Sequence, residues 1–256
     1  MKRIRQWLRV RLAYGLAYLP FWPAPANKFV VFGQGRTGST LLVDLLNSSD
    51  DIHCDREIFN VFHFTGEKIR NPLSYVIGRS KRFSDKVYGF KVKIYQLKED
   101  HKVHSIRDFL SGLEAQGYRI IYLSRENVLQ HAYSNVKRAL TGVTHVRDEG
   151  PSKGKIRLPV SDFMSEISLR LRFRTEELEV LKGFTYLHLS YERDLLQGEV
   201  HLNTINTVRK YLGLKSVNEV KSRYHKITDK SLAEEIANYD EVVAALQEAK
   251  LDSYIW

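Results

Sequence analysis

The chain has 256 residues, and its 43% hydrophobic and 27% charged residues are ordinary values for a globular protein with one sizeable domain. The formal charge of +10 suits an anionic ligand, but half of it lies in the first 11 residues, and the remainder is too dispersed to indicate a nucleic-acid-binding protein. The single cysteine, Cys54, excludes an intrachain disulfide and a thiolate zinc cluster, which favours a reducing compartment such as the cytoplasm.

Residues 1–27 differ from the rest of the chain, because they are basic at the start, apolar afterwards and free of acidic residues. Large aliphatic residues recur there every three or four positions: Ile4, Leu8, Leu12, Leu16 and Leu19. A membrane span needs about 20 apolar residues, more than this proline-containing segment offers. Three alternatives remain: a helix on an anionic membrane surface, a helix packed on the domain, or a signal sequence ending near Ala24-Pro25-Ala26.

A strand, a glycine-rich loop and a helix follow one another at residues 29–46. The apolar run at 29–32 predicts a buried strand, and the leucines that begin at Leu41 predict a helix. Backbone N–H groups converge between these two elements, and the helix dipole favours negative charge there. The loop at residues 33–40 therefore predicts a phosphate-binding site.

This loop differs from the nucleoside-triphosphate loop G-x-x-x-x-G-K-[ST]. Gly33 and Gly38 have the right spacing, and Thr40 takes the position of the hydroxyl that binds Mg²⁺. Ser39, however, stands in the lysine position, and the loop's own cation is Arg36. We therefore expect a phosphate to be bound by amides, hydroxyls and a cation placed differently.

The run GRTGSTLL at residues 35–42, followed by the segment 55–59, resembles the PAPS-dependent sulfotransferases. The bacterial carbohydrate branch, with its trehalose and nodulation-factor sulfotransferases, is the most similar. PAPS is 3′-phosphoadenosine 5′-phosphosulfate. The resemblance implies that its 5′-phosphosulfate binds to five consecutive residues: Arg36, Thr37, Gly38, Ser39 and Thr40.

The segment between residues 60 and 86 carries weak signals. A turn is expected at Asn71-Pro72. Several basic residues follow, and we expect them to form a solvated face: Arg70, Arg79, Lys81 and Arg82. Partial alternation then predicts a strand over residues 88–97.

The next strand and helix are predicted at residues 118–124 and 127–140, after a helix at 106–117. Arg125 follows the strand, where an ATPase would place a Mg²⁺-binding aspartate. Ser134 lies two turns into the helix, so that both side chains can converge on one phosphate. The sulfotransferase resemblance implies that Arg125 and Ser134 bind the 3′-phosphate.

The C-terminal half predicts helices at residues 160–182, 200–212 and 232–246 and a strand at 184–189. The basic loop at residues 141–159 is expected to be either a lid over the acceptor or a plain flexible insertion. The charges at residues 192–194 are expected to be structural. The resemblance implies that Lys226 and Thr228 lie in a loop that closes on the nucleotide.

Strands and helices alternate throughout, which predicts an α/β fold with a mainly parallel central sheet flanked by helices. With the loop after the first strand, this is a P-loop-like three-layer sandwich that places its ligand at the carboxyl ends of the strands. We divide the chain into the N-terminal segment 1–27 and a sulfotransferase domain at 28–256.

The resemblance implies transfer of a sulfuryl group from PAPS to a hydroxyl of a carbohydrate or glycolipid, with PAP (3′,5′-bisphosphoadenosine) as product and no metal. Arg36 and Glu57 would be catalytic. Two other functions remain open, a nucleotide kinase or NTPase with a degenerate loop, and a non-catalytic membrane-surface or nucleic-acid-binding protein. The expected partner is a small-molecule or glycan acceptor, and we expect no binding of nucleic acid. Residues 1–27 are expected to make peripheral contact with a membrane. The sequence does not indicate an oligomeric state.

Sulfuryl transfer to a hydroxyl calls for a general base, and three candidates follow the loop: His53, Asp55 and Glu57. The resemblance selects Glu57, because the carbohydrate branch places its carboxylate before an apolar–aromatic step, here Ile58-Phe59. We expect an extended segment that points both carboxylates to one side. Asp55 would then orient the acceptor or pair with Arg56 or Arg36.

Overall fold

The computed structural model describes residues 2–142, 154–223, 231–251 and 254, with side chains described from Ile4 onwards. Its centre is a five-stranded sheet in the order β2-β3-β1-β4-β5, and the described pairings between these strands are all parallel. The strands are β1 (Lys28–Gly33), β2 (Ile52–Glu57), β3 (Val87–Lys93), β4 (Tyr118–Ser124) and β5 (Tyr186–Ser190). The predicted α/β fold with a parallel sheet is confirmed.

Eleven α-helices connect and cover the strands in the part of the chain that the structure describes. The first six are α1 (Lys2–Ala17), α2 (Ser39–Leu46), α3 (Val61–Thr65), α4 (Pro72–Ser80), α5 (Ile106–Ala115) and α6 (Val128–Thr141). The other five are α7 (Val160–Leu181), α8 (Tyr191–Asp194), α9 (His201–Tyr211), α10 (Leu232–Glu235) and α11 (Tyr239–Glu248).

Apolar side chains are buried on both faces of the sheet, as expected for parallel strands. On one face, Val30 and Phe90 pack with residues of α1, α4 and α5. On the other, Val31 and Ile121 pack with residues of α2 and α9. The sheet is thus the middle layer of a three-layer sandwich. Strand order reverses around β1, which lies between β3 and β4, so the ligand crevice is expected at the carboxyl ends of these strands.

Three element predictions need correction. The turn at Asn71-Pro72 is the start of α4, where the Asn71 side chain accepts a hydrogen bond from the Ser74 N–H over 3.0 Å. The strand expected to reach residue 97 ends at Lys93, and a π-helical turn follows at Gln96–Asp100. The final helix is interrupted at residues 236–238, because the backbone there pairs with Ile156 instead of continuing the helix.

The N-terminal helix α1 packs against α4 through a close backbone contact. A Cβ added to Gly78 would lie 1.7 Å from the Ala13 carbonyl oxygen, so a side chain at Gly78 would push the two helices apart. Lys81 then donates to the carbonyl oxygens of Leu16 and Leu19 over 3.0 and 2.7 Å and satisfies the end of α1. Among the described residues, no helix is both long enough and apolar enough to cross a membrane.

Of the four basic residues that we expected on a solvated face, Arg70 and Arg82 are exposed, but Arg79 and Lys81 are buried. Arg79 and Lys81 are each only 8% exposed. Their charges are taken up by partners that are distant in sequence, Asp55 for Arg79 and the end of α1 for Lys81. This part of the prediction is therefore wrong at Arg79 and Lys81.

A candidate anion-binding site at the carboxyl ends of the strands

The loop between β1 and α2 is held in a tight conformation by its own side chains and by one glycine. Gly38 precedes α2 with a left-handed φ of 77°, and a Cβ there would lie 2.5 Å from the Tyr191 ring. The Thr37 hydroxyl donates to the Gln34 carbonyl over 3.0 Å. His131 from α6 contacts the Gly35 carbonyl oxygen over 2.7 Å. The first turn of α2 therefore follows a fixed backbone at which an anion can be bound.

The structure brings the two predicted phosphate-binding groups next to each other. Arg36 Nε donates to Ser134 Oγ over 2.9 Å, and Arg125 Nη1 donates to the Arg36 carbonyl oxygen over 3.2 Å. Arg36 has a positive φ of 66°, which is uncommon for a residue other than glycine. Burial and then the charges of Arg125 and Arg138 lower the pKa of Arg36. This clustering of positive charge indicates a site for an anion.

Arg125 is a largely buried cation at the end of β4. Its side chain is 13% exposed, and its guanidinium lies 4.8 Å from the centre of the Tyr191 ring. Arg125 Nε has no hydrogen-bond acceptor within the described residues, and Glu192 Oε1 is 3.6 Å away. Burial lowers the pKa of Arg125. A further anion would relieve the cost of burying this charge.

Glu192 supports the backbone beside this arginine. One of its oxygens accepts from the Glu126 N–H over 2.8 Å, and the other accepts from the Asn127 N–H over 3.2 Å. These contacts hold the turn from β4 into α6, and with it the direction of Arg125. They agree with the structural role that we expected for this charge.

Lys91 is a site residue that the sequence analysis missed. It extends from β3 towards the loop, and its Nζ lies 3.1 Å from Thr40 Oγ1 and 3.3 Å from Ser39 Oγ. The residue is only 4% exposed, and burial lowers its pKa. Lys91 thus brings an ammonium group to the start of α2, although the loop itself lacks the lysine of the nucleoside-triphosphate loop.

A signal for Lys91 was present in the strand sequence YGFKVKIYQL. Lys91 and Lys93 are two residues apart, so they point to the same face at the carboxyl end of β3. The intervening Val92 belongs to the core of the opposite face. Two lysines on one face of an otherwise buried strand are costly unless they are paired, which indicates a functional or ion-paired position.

Glu57 pairs with both lysines. Its Oε1 lies 3.0 Å from Lys91 Nζ and 2.9 Å from Lys93 Nζ, while Oε2 accepts a hydrogen bond from Asn60 Nδ2. Burial alone would raise the pKa of Glu57, but Lys91 and Lys93 lower it to about 2. Glu57 is therefore ionised at neutral pH. Lys91 connects its carboxylate to the loop, because the same ammonium group contacts Glu57 and the hydroxyls of Ser39 and Thr40.

Asp55 and Glu57 do not point to one side, contrary to the sequence prediction. The register with β3 is irregular between them, so Asp55 lies opposite Phe90 and Glu57 opposite Lys91. Asp55 pairs with Arg79, not with Arg56 or Arg36.

The surroundings of Asp55 explain its charge state. Its carboxylate also accepts a hydrogen bond from the Tyr88 hydroxyl over 3.0 Å. Burial alone would raise its pKa, but His53 and Arg79 lower it to about 2. These contacts give Asp55 a structural role.

Two of the nearby histidines have structural contacts. His101 is buried, with Nδ1 accepting from the Ile69 N–H over 2.9 Å and Nε2 lying 2.7 Å from the Phe59 carbonyl oxygen. His53 stacks on Phe83 with ring centres 3.7 Å apart. Glu57 is the candidate base whose carboxylate contacts the lysine that reaches the loop.

Lys226 and Thr228 lie outside the described residues, as does the central part of the loop predicted at 141–159. Within the described ranges, no three His, Cys, Asp or Glu side chains lie together in a way that could hold a metal ion.

No protein-family model matches the chain, and no curated protein matches it. Among solved structures, a sulfotransferase from Alicyclobacillus acidocaldarius is similar with a TM-score of 0.49 and 14% identity, over 91% of this chain and 96% of that one. A mouse sulfotransferase complexed with PAP is similar with a TM-score of 0.46 and 12% identity, over 81% of this chain and 65% of that one. Because both TM-scores are below 0.5, the function of this chain has to be argued from its own residues.

Proposed function

We propose that the protein transfers the sulfuryl group of PAPS to a hydroxyl group of an acceptor, a carbohydrate or a glycolipid. The observation that carries this proposal is the pair of adjoining cationic groups at the carboxyl ends of β1, β3 and β4. One consists of Lys91 and Arg36 at the loop before α2, and the other of Arg125 with the hydroxyl of Ser134, both of which contact Arg36. PAPS carries two separate anionic groups, and each would meet one of these cationic groups.

The 5′-phosphosulfate would bind to the loop between β1 and α2. The backbone N–H groups at the start of the helix and the hydroxyls of Thr37, Ser39 and Thr40 would contact its oxygens. Lys91 supplies the cation at Ser39 and Thr40, and it can follow the charge because its ammonium group ends a flexible side chain.

The 3′-phosphate would bind between Arg125 and Ser134. The guanidinium group offers several donors in one plane, which suits a phosphate, and the serine adds a hydroxyl donor. Arg36 donates a hydrogen bond to the Ser134 hydroxyl in this structure. A bound phosphate would compete for this hydroxyl and shift Arg36 towards the bridging oxygen of the phosphosulfate. Lys226 and Thr228 remain our proposed closing contacts on the nucleotide.

The reaction itself would be an in-line displacement at sulfur. The acceptor oxygen attacks, the bond between sulfur and the bridging oxygen breaks, and PAP leaves with the bond's electron pair as phosphate charge. Positioning and stabilisation of that charge supply most of the rate in such transfers. Arg36 and Lys91 would stabilise the leaving oxygen, and these two cations provide the charge that a metal ion would otherwise supply.

Glu57 would accept the acceptor's proton. A carboxylate with a pKa of about 2 is ionised but weakly basic. The lysines that depress its pKa are also the groups that a bound phosphosulfate would attract. As Lys91 turns towards the donor, Glu57 loses part of this stabilisation, and its pKa rises towards the ordinary value of a carboxyl group. Donor binding would thus make Glu57 a stronger base.

The proposal is tested by incubating the full chain with PAPS that carries labelled sulfur and with a panel of glycans, glycolipids and phenols. We expect label in an acceptor product identified by mass, release of PAP, and no requirement for Mg²⁺. The Lys91→Met variant serves as the matched negative sample. Mg²⁺-dependent turnover of ATP without any sulfuryl transfer would contradict the proposal and favour a nucleotide kinase or NTPase.

A further inference from the structure

The helix α1 packs part of its surface on the domain and leaves several large apolar side chains exposed. Ala13 is 1% exposed and Leu16 is 7% exposed at the contact with the core. Nearer the N-terminus of the helix, Ile4, Leu8 and Leu12 are 64%, 53% and 49% exposed. These three side chains are four residues apart, so they form one continuous apolar ridge along the helix.

The chain that follows α1 extends this ridge. Phe21 is 98% exposed, and the half-exposed Trp22 is fixed by a hydrogen bond from its Nε1 to the Lys81 carbonyl oxygen over 3.1 Å. Eight of the eleven large apolar side chains that are exposed among the described residues lie in this one segment: Ile4, Trp7, Leu8, Leu12, Tyr18, Leu19, Phe21 and Trp22. A concentration of this kind marks an interaction surface.

Basic residues border the ridge. Arg5, Arg9 and Arg11 are exposed on α1, and the first acidic residue of the sequence is Asp44. The Arg11 guanidinium lies 4.1 Å from the centre of the Trp7 ring, so a cation and an indole are presented side by side. Tryptophan and arginine are suited to the boundary between lipid headgroups and acyl chains.

We propose that this ridge, residues 4–22, docks the protein on an anionic lipid bilayer. Aliphatic side chains would enter the acyl region, while the arginines contact the negative headgroups. The packing of Ala13 on Gly78 and the anchoring of the helix end by Lys81 prevent α1 from rotating to bury the ridge against its own domain. A second copy of the chain is a poorer occupant, because a symmetric contact would bring both sets of arginines together.

Membrane docking is tested by co-sedimentation of the full chain with phosphatidylcholine vesicles that contain phosphatidylglycerol. The double substitution Leu8→Glu and Leu12→Glu places two charges on the exposed ridge and leaves the packed face unchanged. It should lower the partition coefficient at least about tenfold. Leu178→Glu, at a 45% exposed leucine of α7, is the matched control and should bind like the unchanged chain.

The electrostatic half of the contact has its own test. Binding should weaken when phosphatidylglycerol is omitted or when salt is raised, since screening reduces attraction between the arginines and the headgroups. Arg5→Glu with Arg9→Glu should have the same effect, whereas Lys210→Glu, at an exposed lysine of α9, should not. Activity on a soluble acceptor should be equal in these variants, so this test does not depend on the proposed reaction.

Two outcomes would overturn the inference. One is equal vesicle binding by the Leu8→Glu, Leu12→Glu variant and the unchanged chain. The other is absence of vesicle binding together with a dimer in solution that the same double substitution converts to monomer, as measured by sedimentation velocity. The second result would assign the ridge to contact between two copies of the chain.

Discussion

Arg36 Nε and Ser134 Oγ are 2.9 Å apart, and this hydrogen bond joins the loop after β1 to the second turn of α6. The two residues are 98 positions apart in sequence, yet each was assigned to a different phosphate of one ligand. Arg125 completes the connection through the Arg36 carbonyl oxygen. A ligand group that binds to Arg125 or Ser134 must therefore also change the hydrogen bonds that hold Arg36.

The first prediction concerns Ser134. Its replacement by alanine removes one hydroxyl donor from the proposed 3′-phosphate site and the partner of Arg36. We expect the affinity for PAP to fall roughly tenfold, the usual effect of losing one hydrogen bond to a charged group. Isothermal titration calorimetry measures this loss, and Ser168→Ala at an exposed position of α7 is the control. Unchanged PAP affinity in Ser134→Ala would remove Ser134 from the site.

The second prediction concerns Lys91. Lys91→Met retains much of the side chain's length and removes the charge that faces Thr40. We expect kcat to fall at least about a hundredfold, because a preorganised cation at a developing negative charge contributes on that scale. Lys98→Met, at a half-exposed lysine outside the site, is the control for loss of one positive charge. Normal kcat in Lys91→Met would exclude Lys91 from catalysis.

The third prediction concerns Glu57. Glu57→Gln keeps the shape of the side chain and removes its basicity. PAP binding should be nearly unchanged, while turnover falls at least about a hundredfold. Glu67→Gln, an exposed position nearby, is the control. Near-normal turnover in Glu57→Gln, combined with a loss of turnover in His53→Ala, would assign the base to His53.

The loop and the groups around Arg125 were predictable because each is encoded within a few residues. A strand, a glycine-rich turn and a helix follow one another at β1 and α2. Arg125 directly follows β4, and Ser134 lies on the next helix, α6. The parallel sheet then brings the ends of β1 and β4 together. Convergence of Arg36 and Arg125 follows from that pairing.

Lys91 and Arg79 were not predictable in the same way. Their partners, Thr40 and Asp55, are 51 and 24 positions away, and the contacts depend on which strands are neighbours. The irregular register of β2 adds a further effect, since one extra residue reverses the face to which Glu57 points. A one-dimensional pattern does not encode these features.

The fourth prediction is a dependence of stability on acid. The folded pKa of Asp55 is about 2, below its ordinary value, so its pairing with Arg79 stabilises the fold above about pH 4 and is lost as the pH falls towards 2. Asp55→Asn should lower the free energy of unfolding by about 3 kcal/mol at pH 7, because Arg79 is left buried and unpaired.

Urea unfolding at several pH values measures this difference. The deficit of Asp55→Asn relative to the unchanged chain should shrink as the pH falls from 4 to 2, since protonation of Asp55 then removes from the unchanged chain the ion pair that the variant already lacks. Asp85→Asn, at an exposed position, should show no such deficit. A deficit of equal size at all pH values would argue against the ion pair as its cause.

The fifth prediction concerns Glu177, which is 1% exposed on α7 and lies 3.1 Å from the Tyr122 hydroxyl. Burial raises its pKa to about 8, so the fold binds a proton that the unfolded chain releases near pH 4.5. Its contribution to stability is therefore full below about pH 4.5 and is lost as the pH rises to 8.

Glu177→Gln resembles the protonated acid at every pH. Relative to the unchanged chain, it should gain stability on the order of 3 kcal/mol between pH 5 and pH 8, as measured by urea unfolding. Glu179→Gln, at an exposed position on the same helix, should gain none. Parallel pH profiles for Glu177→Gln and the unchanged chain would show that Glu177 is ionised in the fold.

The central claim, one ligand with two anionic groups, is tested most directly by the melting temperature with PAP, AMP and ATP, each with and without Mg²⁺. A ligand that binds only the folded state stabilises it by mass action, so PAP should raise the melting temperature far more than AMP or ATP. Arg125→Ala should erase most of the difference between PAP and AMP, whereas Arg172→Ala should preserve it. Equal stabilisation by all three nucleotides would contradict the account.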